Sequence, residues 1–156
     1  MSKWPSAPAG NRPLSKCSPR CSANAIFQEI KDIVSELPDE IVERYYGCGS
    51  PIPDDIKDLT VLDRGCGTGR DVYVVSRLVG AGGKVIGIDM NDDQFAVAEK
   101  YKDEIAKKWG FSNIEFKKGY IEDLASAGIA DGTIDLVISN CVINLSPDKD
   151  RVFSEI

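Results

Sequence analysis

The chain has 156 residues, of which 42% are hydrophobic and 28% charged, values that are ordinary for one globular domain. A net charge of −6 and the lack of any apolar run of about 20 residues argue against nucleic acid or a membrane as the main partner. Five irregularly spaced cysteines make a poor disulfide framework, so we expect reduced thiols in a cytoplasmic protein. Because the chain has no histidine, any catalysis must proceed without the usual base at neutral pH.

The N-terminal segment, residues 1–24, is rich in Pro, Ser, Ala and Arg and has no hydrophobic periodicity. Residues 1–28 carry four basic side chains and no acidic ones, so the remainder holds 15 basic against 25 acidic residues. This composition predicts a disordered tail. A transit peptide is the alternative, although four prolines disfavour an amphipathic helix.

Two helices are predicted before the central part of the chain. Apolar residues recur at helical spacing from Ala25 to Leu37, which predicts an amphipathic helix. A second, short helix is predicted to begin at Pro38-Asp39-Glu40, and an irregular loop over residues 45–53 follows it.

From residue 60 onward, predicted strands and helices alternate. Strands are predicted over residues 60–64, 84–89, 113–118 and 133–140. Helices are predicted over residues 70–78, 92–108 with Asn91 as the cap, 122–127, and beyond the cap Ser146-Pro147-Asp148. This alternation is typical of an α/β protein with a doubly wound parallel, Rossmann-like sheet.

A glycine-rich turn joins the first predicted strand to its helix. It reads Asp63-Arg64-Gly65-Cys66-Gly67-Thr68-Gly69-Arg70. Glycines let the backbone pass close to a ligand, and the N-terminus of the following helix leaves N–H groups free to point at it. Asp89 ends the next strand, 20 residues beyond Gly69, where an acid can accept both hydroxyl protons of a ribose. The unit therefore predicts a cofactor that contains a nucleoside.

The spacing of the glycines separates two classes of cofactor. A dinucleotide-binding turn reads Gly-x-Gly-x-x-Gly, whereas this turn reads Gly65-x-Gly67-x-Gly69. The anion of Asp63 would repel a pyrophosphate but would attract an ammonium or sulfonium group. We therefore predict S-adenosylmethionine rather than a nicotinamide cofactor or a turn without a ligand.

The predicted cofactor site draws on four parts of the chain. Asp63 and the glycine-rich turn would hold the methionine end, and Asp89 would hold the ribose. Met90 would pack on the adenine, and Glu122 would lie near its amino group. The full predicted set is Asp63, Gly65, Cys66, Gly67, Thr68, Gly69, Arg70, Asp89, Met90, Tyr120, Ile121, Glu122 and Asn140.

Four pieces of the sequence together resemble one family. They span residues 44–49, 63–71, 118–122 and 139–149, and two of them carry the motifs Tyr-Tyr-Gly-Cys-Gly and Ser-Asn-Cys-Val-Ile-Asn-Leu. The combination resembles the arsenite methyltransferases, class I enzymes that methylate trivalent arsenic with S-adenosylmethionine. The resemblance runs almost continuously from about residue 40 to residue 156.

The resemblance implies that three cysteine thiolates hold the arsenic above the methyl group. Cys48 and Cys141 occupy the cysteine positions of the two motifs, so both are implied ligands of As(III). Cys21, 27 residues before Cys48, is the nearer candidate for a further thiol, and Cys17 is another. Trivalent arsenic is soft and thiophilic, and its lone pair can attack a sulfonium methyl without a general base. From loop context alone, Cys48 and Cys141 would instead be small buried hydrophobic residues.

The resemblance also implies the partners. They are a small-molecule substrate, arsenite or its thiol conjugates, and a thiol reductant such as glutathione or thioredoxin. At full length we expect a monomer without nucleic-acid or membrane partners. Two other functions remain open. The chain could be an inactive fragment that binds the cofactor or arsenic, or it could methylate another small molecule such as a sterol or quinone.

Two features depart from the family pattern. Arg64 stands where the family usually has an apolar residue at the end of a buried strand. We expect its side chain to reach solvent or a carboxylate, or else to impair the fold. The sheet is expected to stop after its fourth strand, which would leave an exposed edge. We therefore interpret residues 25–156 as the N-terminal part of a methyltransferase domain, including the cofactor-binding half.

Overall fold

The computed structural model describes residues 23–156. This part of the chain contains six α-helices, one 3-10 helix and four strands. The helices are α1 (Ala23–Ser35), α2 (Asp39–Glu43), α3 (Arg70–Val79), α4 (Asp92–Lys100), α5 (Lys102–Trp109) and α6 (Lys149–Ser154). The strands are β1 (Thr60–Arg64), β2 (Lys84–Asp89), β3 (Ile114–Lys118) and β4 (Leu136–Ile138), and the 3-10 helix is Ile143–Leu145. Cys17, Cys21 and most of the predicted tail lie outside the described residues.

The four strands form one parallel sheet in the order β3-β2-β1-β4. In its register, Leu62 of β1 lies beside Ile86 of β2 on one side and Val137 of β4 on the other. β1 lies inside the sheet. The chain adds β2 and β3 on one side of it, and then crosses back over β1 to add β4 on the other side. This arrangement confirms the predicted doubly wound fold, and it brings the carboxyl ends of all four strands to one edge.

Side chains alternate between two buried clusters along each central strand, as the pleat requires. On one face, Val61 and Val85 pack with residues of α1 and α3. On the other face lies a second core cluster, formed by Leu62, Ile86, Ile88, Ile121, Leu124, Ile129 and Val152. Both faces of β1 and β2 are therefore covered by apolar residues, which explains the near-continuous apolar runs of these strands.

The predicted helix over 25–37 forms as α1, Ala23–Ser35, and buries Ile30 and Ile33. Its 13 residues make it the longest helix in the described part of the chain. Among residues 23–156, no helix combines the length and the apolar character that a membrane crossing needs.

The fourth strand is shorter than the predicted range of 133–140, and a side-chain hydrogen bond to β1 lies at each of its ends. Before the strand, the backbone N–H of Thr60 donates to the Asp135 carboxylate at 2.8 Å. After it, the Ser139 hydroxyl donates to the carbonyl of Arg64 at 2.9 Å. Regular pairing with β1 is limited to Leu136–Ile138.

The long helix predicted over 92–108 is two helices. Asn91 caps α4 as predicted, with its side chain accepting from the N–H groups of Asp93 and Gln94. The break falls at Tyr101, whose φ of −100° and ψ of 0° end α4 and precede α5. The Tyr101 hydroxyl donates to Glu40 at 2.6 Å, so a contact with α2 accompanies the break.

The prediction of a helix over residues 122–127 is wrong, because this segment folds as consecutive turns. Its backbone bonds join residues three apart, Ala127 to Leu124 and Gly128 to Ala125. The Asp123 carboxylate accepts from both the N–H and the hydroxyl of Ser126, an arrangement that competes with helical bonding.

The Arg64 side chain was expected to reach solvent or a carboxylate. It does not reach solvent, and it forms no hydrogen bond with a carboxylate. Its side chain is fully buried, with 0% exposure, and its Nη2 donates to the carbonyl oxygen of Ile121. Among residues 23–156, the Nε and Nη1 atoms have no hydrogen-bond partner. Burial lowers the pKa of Arg64, while the negative charges of Glu155 and Glu122 oppose that shift.

Candidate functional site

A cavity of about 780 Å³ lies at the carboxyl ends of the strands, where ligands of open α/β sheets bind. Segments that follow all four strands contribute to its wall. The predicted site residues in the wall are Asp63, Gly65, Cys66, Gly67, Thr68, Asp89, Met90, Tyr120, Ile121, Glu122, Asn140 and Cys141. The structure therefore brings together residues that the sequence separates by almost 80 positions.

Three predicted residues, Gly69, Arg70 and Cys48, lie outside the cavity wall. Gly69 caps α3 and is buried. The Arg70 guanidinium stacks 4.0 Å from the centre of the Tyr45 ring and forms an ion pair with Asp71 at 3.1 Å. Arg70 thus supports a neighbouring residue of the site instead of lining the cavity.

The glycine-rich turn needs glycine for two separate reasons. Gly65 and Gly69 have φ values of +77° and +82°, in the left-handed region that side chains disfavour. A Cβ at Gly65 would also lie 2.5 Å from the side chain of Val142, and one at Gly69 would lie 2.9 Å from Phe116. The turn is therefore tightly packed on both its sides.

The Asp89 carboxylate is oriented by the backbone around it. One oxygen accepts from the N–H of Gly67 and the other from the N–H of Asn91, each at 2.8 Å. Since each carboxylate oxygen has a second lone pair, both can still accept a hydroxyl proton. Met90 and Tyr120 line the same cavity and are each 62% exposed, so they offer apolar surface to a planar base.

Asp63 is a buried carboxyl group in the wall of the cavity. It is only 3% exposed, and burial raises the pKa of its carboxyl group well above the ordinary value. The negative charges of Asp71 and Asp89 raise the pKa further. A cation beside Asp63 would relieve this repulsion, so the site suits a ligand with an ammonium or sulfonium group.

Cys48 and Cys141 form a pair of exposed free thiols, although 93 residues separate them. The two thiols lie close enough to interact, because the neighbouring Cys141 raises the pKa of the Cys48 thiol. Neither is the small buried hydrophobic residue of the alternative interpretation, whereas Cys66 is buried. Cys141 also has a φ of +57°, in the left-handed region.

A hydrogen-bond network joins the two cysteine loops. The side-chain oxygen of Asn140 accepts from the N–H of Cys48 at 3.0 Å. The amide nitrogen of Asn140 donates to the Tyr45 hydroxyl at 2.5 Å, and that hydroxyl donates to Asp71 at 3.0 Å. We name this set, Tyr45, Asp71 and Asn140, the loop bridge.

Burial is the largest influence on the pKa of the two titratable side chains of the loop bridge, Asp71 and Tyr45. It raises the pKa of Asp71, although the charge of Arg70 and the bonds from Tyr45 and Asn140 oppose the shift. The pKa of Tyr45 is raised by burial and by the charge of Asp71, so its hydroxyl keeps its proton at neutral pH. Tyr45 can therefore act as a donor throughout the physiological range.

The sequence did not identify Tyr45 and Asp71 as site residues, although both lie inside quoted motifs. Gln94 was missed as well. Its Oε1 is buried in the cavity wall and has no hydrogen-bond partner among residues 23–156. Within these described residues, no group of three or more His, Cys, Asp or Glu side chains could hold a metal ion. The described thiols therefore form a pair and not a triad.

Comparison with known proteins gives one consistent result. A family model described as a methyltransferase domain matches residues 55–156. The arsenite methyltransferase of Aquipseudomonas alcaligenes is 49% identical over 140 residues, which cover 90% of this chain and 40% of that protein. The human arsenite methyltransferase is 48% identical over 136 residues, which cover 86% of this chain and 36% of that protein.

A solved structure agrees with these relatives. The crystal structure of an arsenic(III) S-adenosylmethionine methyltransferase from Chlamydomonas reinhardtii matches with a TM-score of 0.79 and 50% identity. The match covers 81% of this chain and 43% of that one. The chain therefore spans about two fifths of the length of the relatives it matches.

Proposed function

This chain belongs to the methyltransferase domain family, and from that premise we propose that the protein transfers a methyl group from S-adenosylmethionine to trivalent arsenic. The observation that carries the proposal is the pair of neighbouring exposed thiols, Cys48 and Cys141, of which Cys141 lines the cavity. The similarity to arsenite methyltransferases supports the same acceptor.

The cavity residues fit the proposed cofactor in charge and in shape. When bound, S-adenosylmethionine supplies an electrophilic methyl group on a sulfonium sulfur. Asp63 would attract the positive end of the cofactor, and Asp89 would accept the ribose hydroxyls. Within the glycine-rich turn, Gly67 leaves room for the ligand to pass close to the backbone, since a Cβ there would meet only Oε1 of Gln94, at 3.9 Å.

The thiol pair would fix the arsenic substrate beside the methyl group. Because the lone pair of trivalent arsenic is itself the nucleophile, the step requires no general base, which is consistent with a chain that lacks histidine. The residues would then act mainly by positioning the reactants and excluding water. An arsenic atom that uses its lone pair in a new bond is formally oxidised, so we propose a thiol reductant, glutathione or thioredoxin, as co-substrate.

Titration of the chain with S-adenosylmethionine tests the cofactor part of the proposal. Asp89→Ala removes an ionised acceptor, so we expect the affinity to fall by about 1.5–3 kcal/mol. Asp93→Ala is the matched control, because Asp93 is an exposed acid four residues away and outside the cavity wall. Unchanged affinity in folded Asp89→Ala would contradict the assignment.

Arsenite binding tests the thiol part. Cys48→Ser and Cys141→Ser should each lose most of the affinity for arsenite, since each removes one of the paired sulfur ligands. Cys66→Ser is the control, because Cys66 is buried and its thiol is not part of the pair. If Cys48→Ser and Cys66→Ser bound arsenite equally well, the thiol site would be refuted.

A chain that binds without turnover is the second candidate, and the observation that favours it is the number of thiols. Residues 23–156 supply two paired thiols where the resemblance implies three. Incubation with arsenite, glutathione and S-adenosylmethionine, followed by chromatography of methylated arsenicals, separates the two candidates. Methylated product supports the enzyme, and arsenite binding without product supports the second candidate.

A further inference from the structure

Arg64 is a buried cation in an apolar environment. It follows Leu62 on the same face of β1, the face that carries the second core cluster. It lies beside Ile88 in the sheet register and is among the largest fully buried side chains of the described chain. Arg64 does not line the cofactor cavity, so it can act on the cavity only from behind its wall.

The single hydrogen bond of the guanidinium reaches that wall. Its acceptor is the carbonyl of Ile121, which lies between Tyr120 and Glu122 in the cavity lining. The described peptide bonds are all trans, so the N–H of Glu122 points away from that carbonyl. A guanidinium that fixes the Ile121 carbonyl therefore also fixes the direction of the Glu122 N–H.

Two carboxylates act on the same guanidinium through their charge, without forming an ion pair with it. The charges of Glu155 and Glu122 both favour the protonated form of Arg64. Glu155, at the end of α6, also accepts from the N–H of Leu124 at 2.9 Å. Glu122 accepts from the hydroxyl of Ser146. The segment Ile121–Leu124 is thus held at three points by groups on β1, on α6 and on the loop before α6.

Fold stability does not explain this arrangement. Two of the three guanidinium nitrogens have no hydrogen-bond partner among residues 23–156, and burial opposes the charge. Replacement of such a buried ion by an apolar side chain of similar volume is commonly neutral or stabilising. The benefit of Arg64 is therefore to be sought in what it positions.

We propose that Arg64 is a positioning residue for base recognition, which holds the Glu122 N–H and carboxylate in the orientation that distinguishes adenine from hypoxanthine. Adenine presents an acceptor at N1 and a donor at its amino group, whereas hypoxanthine presents a donor at N1 and an acceptor at O6. A fixed donor beside a fixed acceptor fits the first pattern and leaves polar groups unpaired against the second. This inference rests on the proposed cofactor.

The test is calorimetric titration of the 156-residue chain with S-adenosylhomocysteine and with S-inosylhomocysteine, which differ only in the base. We expect the wild-type chain to prefer the adenine compound by at least about tenfold. In Arg64→Met and Arg64→Leu this ratio should fall by about tenfold, while the melting temperature stays the same or rises. Arg64→Lys keeps a charged donor and should retain a larger share of the preference.

The control is Ser76→Ala, which removes a buried hydroxyl bonded to Asn113 outside the cavity wall. It should lower the melting temperature and leave the preference for adenine unchanged. An unchanged preference in either folded apolar variant of Arg64 overturns the inference, as does failure of both variants to fold. If the wild-type chain bound neither compound, the proposed function itself would fail.

Discussion

At the scale of single residues, the acidic side chains around the cavity lower the folding stability of the chain. Asp63, Asp71 and Asp89 place three carboxyl groups near one another, and Asp63 is almost fully buried. Such an arrangement is unfavourable without a cation, since burial and like charges both penalise the ionised form. A positively charged ligand beside Asp63 would relieve this penalty, so the burial of Asp63 is better explained by binding than by folding.

Replacement of Asp63 by asparagine separates these two effects. Because the folded-state pKa of Asp63 lies above the unfolded one, its burial costs stability as the pH rises through that interval. Asp63→Asn carries no charge, so we expect a higher melting temperature at pH 8, by about 2–4 °C for each kcal/mol recovered. The difference should shrink at pH 5, and affinity for S-adenosylmethionine should fall. Melting curves that differ equally at both pH values would contradict the argument.

At the scale of elements, the glycine that caps the start of α3 is packed tightly against neighbouring elements. Gly69 has both a left-handed φ and a Cβ direction that is blocked by Phe116 and Ala98. Gly110, just beyond the end of α5, has the same left-handed backbone, with φ +78° and ψ 12°, but open space around it. Alanine substitution at these two glycines therefore separates the cost of backbone strain from the cost of steric overlap.

We expect Gly69→Ala to destabilise the chain more than Gly110→Ala. Both variants should incur roughly 1–2 kcal/mol of left-handed strain. Gly69→Ala should lose a further 1–3 kcal/mol or so, because Phe116 must move. Urea unfolding of the two variants measures the difference. Equal midpoints would show that Phe116 adapts at no cost.

Elements fixed by local pattern were predictable, and those fixed by distant contacts were not. β1 and β2 have the predicted bounds because each is a short, continuous apolar run that reaches an acid at or next to its last residue. The turns at 122–127 depend on bonds that the Asp123 carboxylate accepts from Ser126, and the break at Tyr101 depends on the bond from its hydroxyl to Glu40. Apolar periodicity cannot reveal such bonds, since it records only which face of an element is buried.

At the scale of the whole molecule, the candidate substrate site joins two distant parts of the chain. Cys48 and Cys141 meet because the loop before β1 and the loop after β4 are tied by the loop bridge. Asn140 is the central residue, since it accepts from the Cys48 backbone and donates to Tyr45. The site would therefore depend on a residue that contributes no sulfur.

We expect Asn140→Ala to weaken arsenite binding by about tenfold, because it removes both bonds that hold the Cys48 loop. Asn144→Ala is the matched control, since Asn144 is an exposed asparagine in the neighbouring 3-10 helix. Titration with arsenite, followed by tryptophan fluorescence or calorimetry, gives both affinities. A loss of the same size in the two variants would show that the loop bridge has no special role.

The candidate site was predictable to the extent that its residues lie in contiguous motifs. Asp89 and the glycine-rich turn follow from spacing alone, and both cysteines follow from the resemblance. The role of Asp71 as a partner of Tyr45 could not be predicted, because the two residues meet only through folding across 26 positions. Full burial of Arg64 was equally hidden, since a sequence pattern does not show which charged residue lacks a route to solvent.

Because the backbone of Cys141 is left-handed, selection for stability and selection for arsenite binding should favour different residues at this position. Glycine adopts a φ of +57° freely, whereas any side chain there is strained by roughly 1–2 kcal/mol. A library enriched for heat resistance should therefore accumulate Cys141→Gly, while a library enriched for arsenite capture should retain cysteine at the same codon. Deep sequencing of the two pools would measure this opposition directly. Retention of cysteine in the heat-selected pool would mean that the strain is relieved elsewhere.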